Sequence, residues 1–202
     1  MKLLVATQNQ GKMEEFRLLL APLRARICFP SELDLNVTVP EDGVTYVDNA
    51  RQKALAYVRA SGLLTLADDS GLEVDALDGA PGVRSARYTP GRDADRVAAL
   101  LREMDGVPKE QRAAQFRCVV VIVTPTGEFH TTEGVCKGLI ALESAGRGGF
   151  GYDPVFYLPD YDCTMAQLSQ VEKNRISHRA KAIKAAMPIL RAWITPDATV
   201  AP

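Results

Sequence analysis

Residues 63–71 read Leu-Leu-Thr-Leu-Ala-Asp-Asp-Ser-Gly, an apolar run followed at once by two adjacent carboxylates. The run predicts a strand over 63–67 that ends by presenting Asp68 and Asp69. Neighbouring carboxylates repel each other, so both stay ionised only beside a cation or hydrogen-bond donors. At the exposed end of a strand in an α/β protein, such a pair suits holding Mg²⁺ or activating water. A turn in which an Asp side chain caps its own backbone explains the pair equally well, and this stretch alone leaves both interpretations open.

The pattern of apolar residues outside this stretch predicts an α/β fold. Strands are predicted over residues 2–7, 27–29, 63–67, 72–74, 116–124, 128–142 and 155–158, with a polar loop over 8–12. Helices are predicted over residues 16–23, 47–58, 97–104 and, in two pieces that meet near Ser177, from 159 to 194. The βα order at the start and a hairpin later favour a mixed sheet over a doubly wound one. We expect one domain over 1–194 and a loose tail over 195–202.

The composition excludes several classes of protein. The 202 residues carry a net charge of -1, so no overall basic field attracts a nucleic acid polymer. Four cysteines without a CxxC pair, and only two histidines, argue against a structural zinc site. No apolar run is long enough to cross a membrane, and we expect no signal peptide, because the apolar stretch within residues 1–12 is short. We therefore expect a cytoplasmic protein with reduced thiols and a buried Cys118.

Two segments in the first third of the chain supply groups that suit phosphates. Thr7-Gln8-Asn9-Gln10-Gly11-Lys12 joins a strand to a helix, where backbone N–H groups and the Lys12 charge favour phosphate oxygens, although the spacing is not that of a P-loop. Asn49 and Lys53 lie four residues apart on one helix face, with Glu41 upstream in a loop. A simple βα turn and a solvated helix face are the structural alternatives.

Two later segments suit a flat ring and an anion. Phe150-Gly151-Tyr152-Asp153-Pro154 follows a glycine-rich loop, so an exposed Phe150 would be able to stack on a base and Asp153 to accept a hydrogen bond. Residues 173–179 place three cations and His178 around a helix start, where a bound anion is favoured. The alternatives are a tight turn with Phe150 in the core and a solvated basic turn. Taken with Asp68 and Asp69, these segments supply the mixture of groups that a nucleoside triphosphate with Mg²⁺ requires.

The motifs together resemble the inosine triphosphate pyrophosphatase family, the ITP/XTP (non-standard purine) pyrophosphatases. The resemblance runs from Leu3 to about Leu190, and six segments carry it in the family's order and spacing. They are Thr7-x-Asn9-x-Gly11-Lys12, Asn49-Ala50-x-x-Lys53-Ala54, Ala67-Asp68-Asp69-Ser70-Gly71-Leu72, Gly79-Ala80-Pro81-Gly82 with Ser85-Ala86-Arg87-Tyr88, Gly149-Phe150-Gly151-Tyr152-Asp153-Pro154, and Ile176-Ser177-His178-Arg179.

The resemblance implies an α/β fold with an elongated mixed β-sheet flanked by helices and two lobes with a cleft between them. It also implies a homodimer and a Mg²⁺-dependent hydrolysis of ITP, dITP and XTP to the monophosphate and pyrophosphate, which clears them from the nucleotide pool. By the same resemblance, Asp69 (the general base), Lys53 and Asp68 are catalytic, and Glu41 and Asp69 bind the metal. The implied substrate-binding residues are Thr7, Gln8, Asn9, Gln10, Gly11, Lys12, Ser70, Phe150, Gly151, Tyr152, Asp153, Lys173, His178 and Arg179.

The implied partner is a purine nucleoside triphosphate, with no nucleic acid polymer and no membrane. Donors such as Arg179 or His178 would pair with the 6-oxo group of the base and be left unpaired against adenine. Two alternatives stay open at this point. One is a pyrophosphatase of the Maf type that acts on other nucleotides, and the other is a non-catalytic nucleotide-binding regulator.

Overall fold

The computed structural model describes residues 1–40 and 42–194, so Glu41 and the predicted tail at 195–202 lie outside the described residues. The chain forms two compact units. Of the described residues, the first unit contains 1–40, 42–69, 119–133 and 182–194, and the second contains 70–118 and 134–181. None of the helices within the described residues combines the length and hydrophobicity needed to cross a membrane.

The strands of the described residues form a mixed sheet, as predicted. In chain order they are β1 (Lys2–Val5), β2 (Arg26–Cys28), β3 (Leu64–Val74), β4 (Ala113–Val123), β5 (Phe129–Ile140), β6 (Phe156–Leu158) and β7 (Cys163–Thr164). Their order across the sheet is β2-β1-β3-β4-β5-β6-β7. β1 runs parallel to β2 and β3, whereas β6 runs antiparallel to β5 and β7. The hairpin predicted between β4 and β5 is confirmed, because the Gly127 amide donates to the Thr124 carbonyl.

The α-helices are α1 (Gln10–Leu20), α2 (Tyr46–Ser61), α3 (Asp93–Glu103), α4 (Gln170–Ile176) and α5 (His178–Ile194). Local signals fix the ends of α2. Thr45 caps its start by accepting from the Asp48 amide, and Gly62, at φ 65°, ends it in the left-handed region that glycine adopts without strain. Ser177 accepts from the Ala180 amide, which confirms it as the predicted N-cap of α5.

The carboxylate pair lies inside a strand, and this corrects the prediction that the strand ends there. β3 continues through Asp68 and Asp69 to Val74. Leu72 and Val74 are fully buried, so the second half of the strand is held by core packing as firmly as the first. The charged pair interrupts the apolar sequence without interrupting the backbone ladder.

Two further predictions of local structure were wrong. Residues 10–12 belong to α1 rather than to a loop, because the Asn9 side chain accepts from the Lys12 amide and starts the helix at Gln10, ahead of the predicted 16–23. Residues 159–169 are not helical; they form short 3₁₀ turns and β7, and Ser169 then caps α4. Short strands of two residues carry too little sequence pattern to be predicted.

A buried guanidinium ties together several segments of the second unit. Arg112 is 3% exposed. Its side chain donates to the carbonyl oxygens of Met104 at 2.8 Å, Ile140 at 2.8 Å and Ala141 at 3.0 Å, and more weakly to that of Val107 at 3.3 Å. These carbonyls follow α3 and end β5, so one side chain links the two segments by hydrogen bonds to their backbone acceptors, and the Met104 carbonyl also accepts from the Val107 amide.

We expect Arg112→Met to lower the free energy of unfolding by at least about 3 kcal/mol. The substitution keeps an apolar stem but removes the donors that Arg112 supplies to four carbonyls, and each buried acceptor that is left unsatisfied costs about 1–3 kcal/mol. Urea denaturation followed by circular dichroism measures the change. Arg102→Met, at an exposed position on α3, is the matched control and should change the value by no more than about 0.5 kcal/mol. Equal losses in the two variants would show that the Arg112 hydrogen bonds add no net stability.

Candidate active site

Charged and amide side chains from three elements of the first unit surround the acidic pair. We call this group the carboxylate cluster; it consists of Lys12, Asn49, Lys53, Asp68 and Asp69. The Lys12 Nζ lies 2.9 Å from the Asp68 Oδ2, and the Asn49 Nδ2 donates to the Asp69 Oδ2 at 2.9 Å. The Lys53 Nζ donates to the backbone carbonyl of Asp68 at 3.0 Å. Acids and cations that are remote in sequence therefore meet in one place.

The strand geometry explains why the two adjacent acids have different partners. Neighbouring side chains along a strand point to opposite faces of the sheet. Asp68 meets Lys12 from the first turn of α1, and Asp69 meets Asn49 from the first turn of α2. Both carboxylates are buried, at 1% and 7% exposure. Each acid thus has a donor of its own, which limits the cost of burying two like charges side by side.

The environment of Asp69 shifts its acidity. Burial raises the pKa of the Asp69 carboxyl above its ordinary value, and the neighbouring Asp68 charge adds to the rise. The hydrogen bond from Asn49 and the charges of Lys12 and Lys53 oppose the rise without cancelling it. Asp69 is therefore a stronger proton acceptor than an exposed aspartate, which is the property required of a general base near neutral pH.

A polar stripe on α2 anchors the segments around this cluster. Asn49, Lys53 and Tyr57 recur at every fourth residue and so lie on one face of the helix. The Tyr57 hydroxyl donates to the Val37 carbonyl and accepts from the Gln8 side chain, both at 3.4 Å. Asn49 is 1% exposed, so the alternative of a solvated helix face is wrong for this residue. The spacing of Asn49 from Lys53 is visible in the sequence, but its burial is not.

The segment predicted to hold phosphates is partly engaged with itself. The Thr7 hydroxyl accepts from the Asn9 amide at 3.3 Å, and the Asn9 side chain accepts from the Lys12 amide at 3.0 Å. Asn9 thus caps the start of α1, and Gln10 and Gly11 lie in the first turn of that helix. Within this segment, the Lys12 side chain contacts Asp68. Its positive charge is therefore the feature of the segment that the geometry best supports for anion binding.

The second unit contains a separate group of predicted site residues. We call it the aromatic cluster; it consists of Ser70, Phe150, Asp153, Lys173 and Arg179. The Lys173 Nζ lies 4.8 Å from the centre of the Phe150 ring, and the Arg179 guanidinium carbon lies 5.6 Å from it. Arg179 also donates to the Ser70 hydroxyl at 2.9 Å. Lys173 and Arg179 are 3% and 1% exposed, so two cations are buried beside one aromatic ring.

Asp153 fixes the shape of the glycine-rich loop. Its carboxylate lies 2.5 Å from the Lys173 Nζ and accepts from the Phe150 amide at 2.9 Å. Gly149 has φ 68°, and a Cβ there would stand 2.0 Å from the Asp153 Oδ2, so a side chain at this position would displace the carboxylate. The Gly151 amide donates to Asp93 at 2.6 Å. Asp153 therefore positions both Lys173 and the ring of Phe150.

Two further residues that were predicted to bind substrate are packed into the second unit. Tyr152 is 4% exposed and donates its hydroxyl to the Ser85 carbonyl at 2.9 Å. His178 is 5% exposed and stacks on Phe116, with ring centres 4.7 Å apart and planes inclined by 16°. Both rings are thus held by contacts within the protein. The predicted metal-binding role of Glu41 lies outside the described residues.

The fold and the site define a mixed α/β protein in which β3 carries two buried carboxylates, Asp68 paired with Lys12 and Asp69 hydrogen-bonded by Asn49. The chain belongs to the Ham1 family, whose model matches residues 3–189. A dITP/XTP pyrophosphatase of Desulforamulus reducens is 52% identical over 192 residues, which cover 94% of this chain and 96% of the relative. The corresponding protein of Geobacillus kaustophilus is 48% identical, with 90% of each chain covered.

Solved structures agree with this assignment. The structure of the Staphylococcus aureus Ham1 protein superposes with a TM-score of 0.84 at 38% identity, covering 96% of this chain and all of that one. The structure of a nucleoside-triphosphatase/dITP/XTP pyrophosphatase from Mycobacterium abscessus superposes with a TM-score of 0.74 at 42% identity, covering 93% of this chain and all of that one. The predicted family is confirmed, and so is the predicted α/β class with a mixed sheet flanked by helices.

Asp69→Asn is expected to raise the melting temperature of the metal-free protein, and to raise it more at higher pH. The raised pKa means that the folded state holds the Asp69 proton more tightly than the unfolded chain does. Wild-type stability therefore falls as the pH rises from the unfolded pKa, about 3.9, through the folded one, whereas the variant has no such proton to lose. Scanning calorimetry in a chelator from about pH 4 to pH 7.5 should show a widening difference, where 2–4 °C corresponds to about 1 kcal/mol.

Asp75→Asn, at an exposed position, is the matched control. The difference between its melting temperature and that of wild type should stay the same across this pH range. A difference between Asp69→Asn and wild type that stays constant over this pH range would contradict the assigned effect of burial on Asp69.

Proposed function

We propose that the protein hydrolyses non-standard purine nucleoside triphosphates, namely ITP, dITP and XTP, to the monophosphate and pyrophosphate. The observation that carries the proposal is the carboxylate cluster. In it, Asp69 is buried and has a raised pKa, and the positive charges of Lys12 and Lys53 act on its carboxylate. Relatives named dITP/XTP pyrophosphatase at 42–52% identity support it. Removal of these nucleotides from the pool follows from the reaction.

The carboxylate cluster suits attack of water on the α-phosphorus. Asp69 accepts a proton from the water as the new O–P bond forms, and the bond from the α-phosphorus to the bridging oxygen of the β-phosphate breaks. Negative charge then develops on the departing pyrophosphate. Lys12 and Lys53 supply positive charge beside this reaction, and a cation that meets developing charge in a poorly solvated site stabilises the transition state.

The donor atoms of the cluster also fit the proposed Mg²⁺ cofactor. Mg²⁺ prefers oxygen ligands and commonly takes one or two carboxylates together with phosphate oxygens of the substrate. The Asp69 carboxylate is a ligand of this kind, and phosphate oxygens of a bound nucleotide would complete the ligand set. Asp69, with Glu41 as predicted from the family, would hold the ion, which would neutralise phosphate charge.

The aromatic cluster suits the base. Phe150 offers a ring face for stacking, and the buried Arg179 offers donors to an oxo group. Ser70, which Arg179 holds by a hydrogen bond, directly follows Asp69 in β3. A buried guanidinium rejects a ligand that presents a donor in place of an acceptor, because one of the two groups is then left unpaired. This arrangement favours hypoxanthine and xanthine over adenine.

The family assignment does not favour the alternatives. A nucleotide-binding regulator gains nothing from a buried acid of raised pKa beside two lysines, because that acid weakens the binding of a triphosphate. From the family resemblance we further propose a homodimer located in the cytoplasm. Light scattering coupled to size-exclusion chromatography checks the dimer by giving twice the mass of the chain.

The wild-type protein is expected to release pyrophosphate from ITP and XTP only when Mg²⁺ is present. Asp69→Asn should lower turnover by roughly 10²–10⁴-fold, the usual contribution of a general base. Asp75→Asn should turn over like wild type, because its side chain is exposed in the other unit. A coupled pyrophosphate assay, with and without a chelator, measures all three proteins. Wild-type protein that releases no pyrophosphate from either nucleotide would refute the proposed function.

Arg179→Ala should reduce the preference for ITP and XTP over ATP by at least about tenfold, since a buried donor without its acceptor costs about 1–3 kcal/mol. The ratio of kcat/KM values across ITP, XTP, GTP and ATP measures the preference. Arg175→Ala is the matched control, because Arg175 belongs to the same segment but is exposed. Arg179→Lys keeps the buried charge if the alanine variant does not fold. Unchanged ratios in a folded Arg179 variant would remove this residue from base recognition.

A further inference from the structure

The amide side chain of Asn49 forms hydrogen bonds in two directions. Its Nδ2 donates to the Asp69 carboxylate at 2.9 Å, and its Oδ1 accepts from the backbone amide of Gly43 at 2.8 Å. The residue is 1% exposed, so water does not compete for either bond. A buried side chain with both ends engaged has one orientation available, because reversing the amide would place like groups against each other at both ends.

The segment on the far side of Asn49 has no regular structure of its own. Residues 36–40 and 42–45 belong to neither a helix nor a strand. The hydrogen bonds between this segment and α2 include one from the Tyr57 hydroxyl to the Val37 carbonyl and one from the Gly43 amide to Asn49, besides the cap at Thr45. A segment without a backbone ladder depends on such side-chain anchors for its position.

We propose that Asn49 is a positioning residue. Its single amide group fixes both the orientation of the Asp69 carboxylate and the position of the segment around Gly43. The inference rests on the proposed function, in which Asp69 takes the proton of the attacking water. Asn49 does not contact the phosphates in this account; it acts through Asp69. Its loss therefore lowers the rate of the chemical step more than it weakens substrate binding, and a disturbance at Gly43 reaches Asp69 through the same amide.

Gly43 offers an independent way to break the connection from its other end. A Cβ at this position would stand 2.7 Å from the Asn49 Oδ1 and 2.8 Å from the Asp48 Cβ, closer than real side chains approach. Gly43→Ala therefore forces the segment and the Asn49 amide apart without changing any atom of Asp69 or Asn49. If the amide couples the two, this glycine substitution disturbs the carboxylate as well.

The experiment is a double-mutant cycle on pyrophosphate release from ITP, using Asn49→Ala, Gly43→Ala and the double variant. Asn49→Ala should lower kcat by roughly 10–100-fold, the usual effect of removing a partner that orients a catalytic or metal-binding group, while KM changes less than about threefold. Gly43→Ala should lower kcat in the same direction. The double variant should be no slower than Asn49→Ala alone, because the connection is already broken.

A second readout needs neither nucleotide nor metal. Hydrogen exchange of the Gly43 amide, followed by nuclear magnetic resonance, should be at least about tenfold faster in Asn49→Ala than in wild type, because the acceptor is gone. Gln52→Ala, at an exposed position on the same helix, is the matched control and should leave both the exchange rate and kcat unchanged. Asn49→Asp keeps the shape and the acceptor for Gly43 but loses the donor to Asp69, so it should preserve Gly43 protection and still lose kcat.

The outcomes separate the inference from the proposed function. Wild-type protein that does not release pyrophosphate defeats the proposed function. Active wild-type protein together with an undiminished kcat in Asn49→Ala or Asn49→Asp defeats the inference alone. Losses that add fully in the double variant, or wild-type kcat in Gly43→Ala, show that Asp69 and the Gly43 segment are set separately. If Asn49→Ala does not fold, Gly43→Ala and Asn49→Asp decide the matter.

Discussion

The burial of two adjacent carboxylates within one strand is the constraint on which the rest of the structure depends. Asp68 and Asp69 are both almost fully buried in β3, where an unpaired charge would be prohibitively costly. Alternation along the strand sends the two side chains to opposite faces, so the pair needs partners on both faces of the sheet. The β1-α1-β2-α2-β3 order resolves this, because it brings the first turns of two different helices to the pair.

Under the proposed mechanism, the role of Asp69 as general base conflicts with the stability of the folded protein. Folding withdraws Asp69 from water and raises its pKa, so the folded protein would be more stable with that carboxyl neutral. A general base must instead be ionised and desolvated when the substrate arrives. Lys12, Lys53 and the Asn49 amide reduce the conflict without removing it. Sites whose local energy is unfavourable in the resting protein are expected where function demands them.

The sequence predicted the elements that carry strong periodicity and missed what depends on burial. The helix at 47–58 and the hairpin at 125–127 are confirmed, because their signals are local. The end of β3 was misplaced because two consecutive charges look like an exposed turn, and nothing in the sequence shows that helices will cover them. Asn49 was recognised by its spacing from Lys53, yet its burial depends on the strand it faces. Tyr152 shows the reverse case, since an aromatic residue between glycine and acid suits a ligand or a core equally well.

Three consecutive polar residues of β3 each have a partner that is remote in sequence. Asp68 is paired with Lys12, Asp69 with Asn49, and Ser70 with Arg179, so each takes its partner from a different helix. A lone acid in a strand is commonly a structural accident, whereas three successive polar residues with three separate buried or half-buried partners require coordinated sequence choices along most of the chain. Packing alone does not call for such choices, since apolar residues in β3 would satisfy the same sheet at lower cost. The polar run is therefore best explained by the chemistry that it supports.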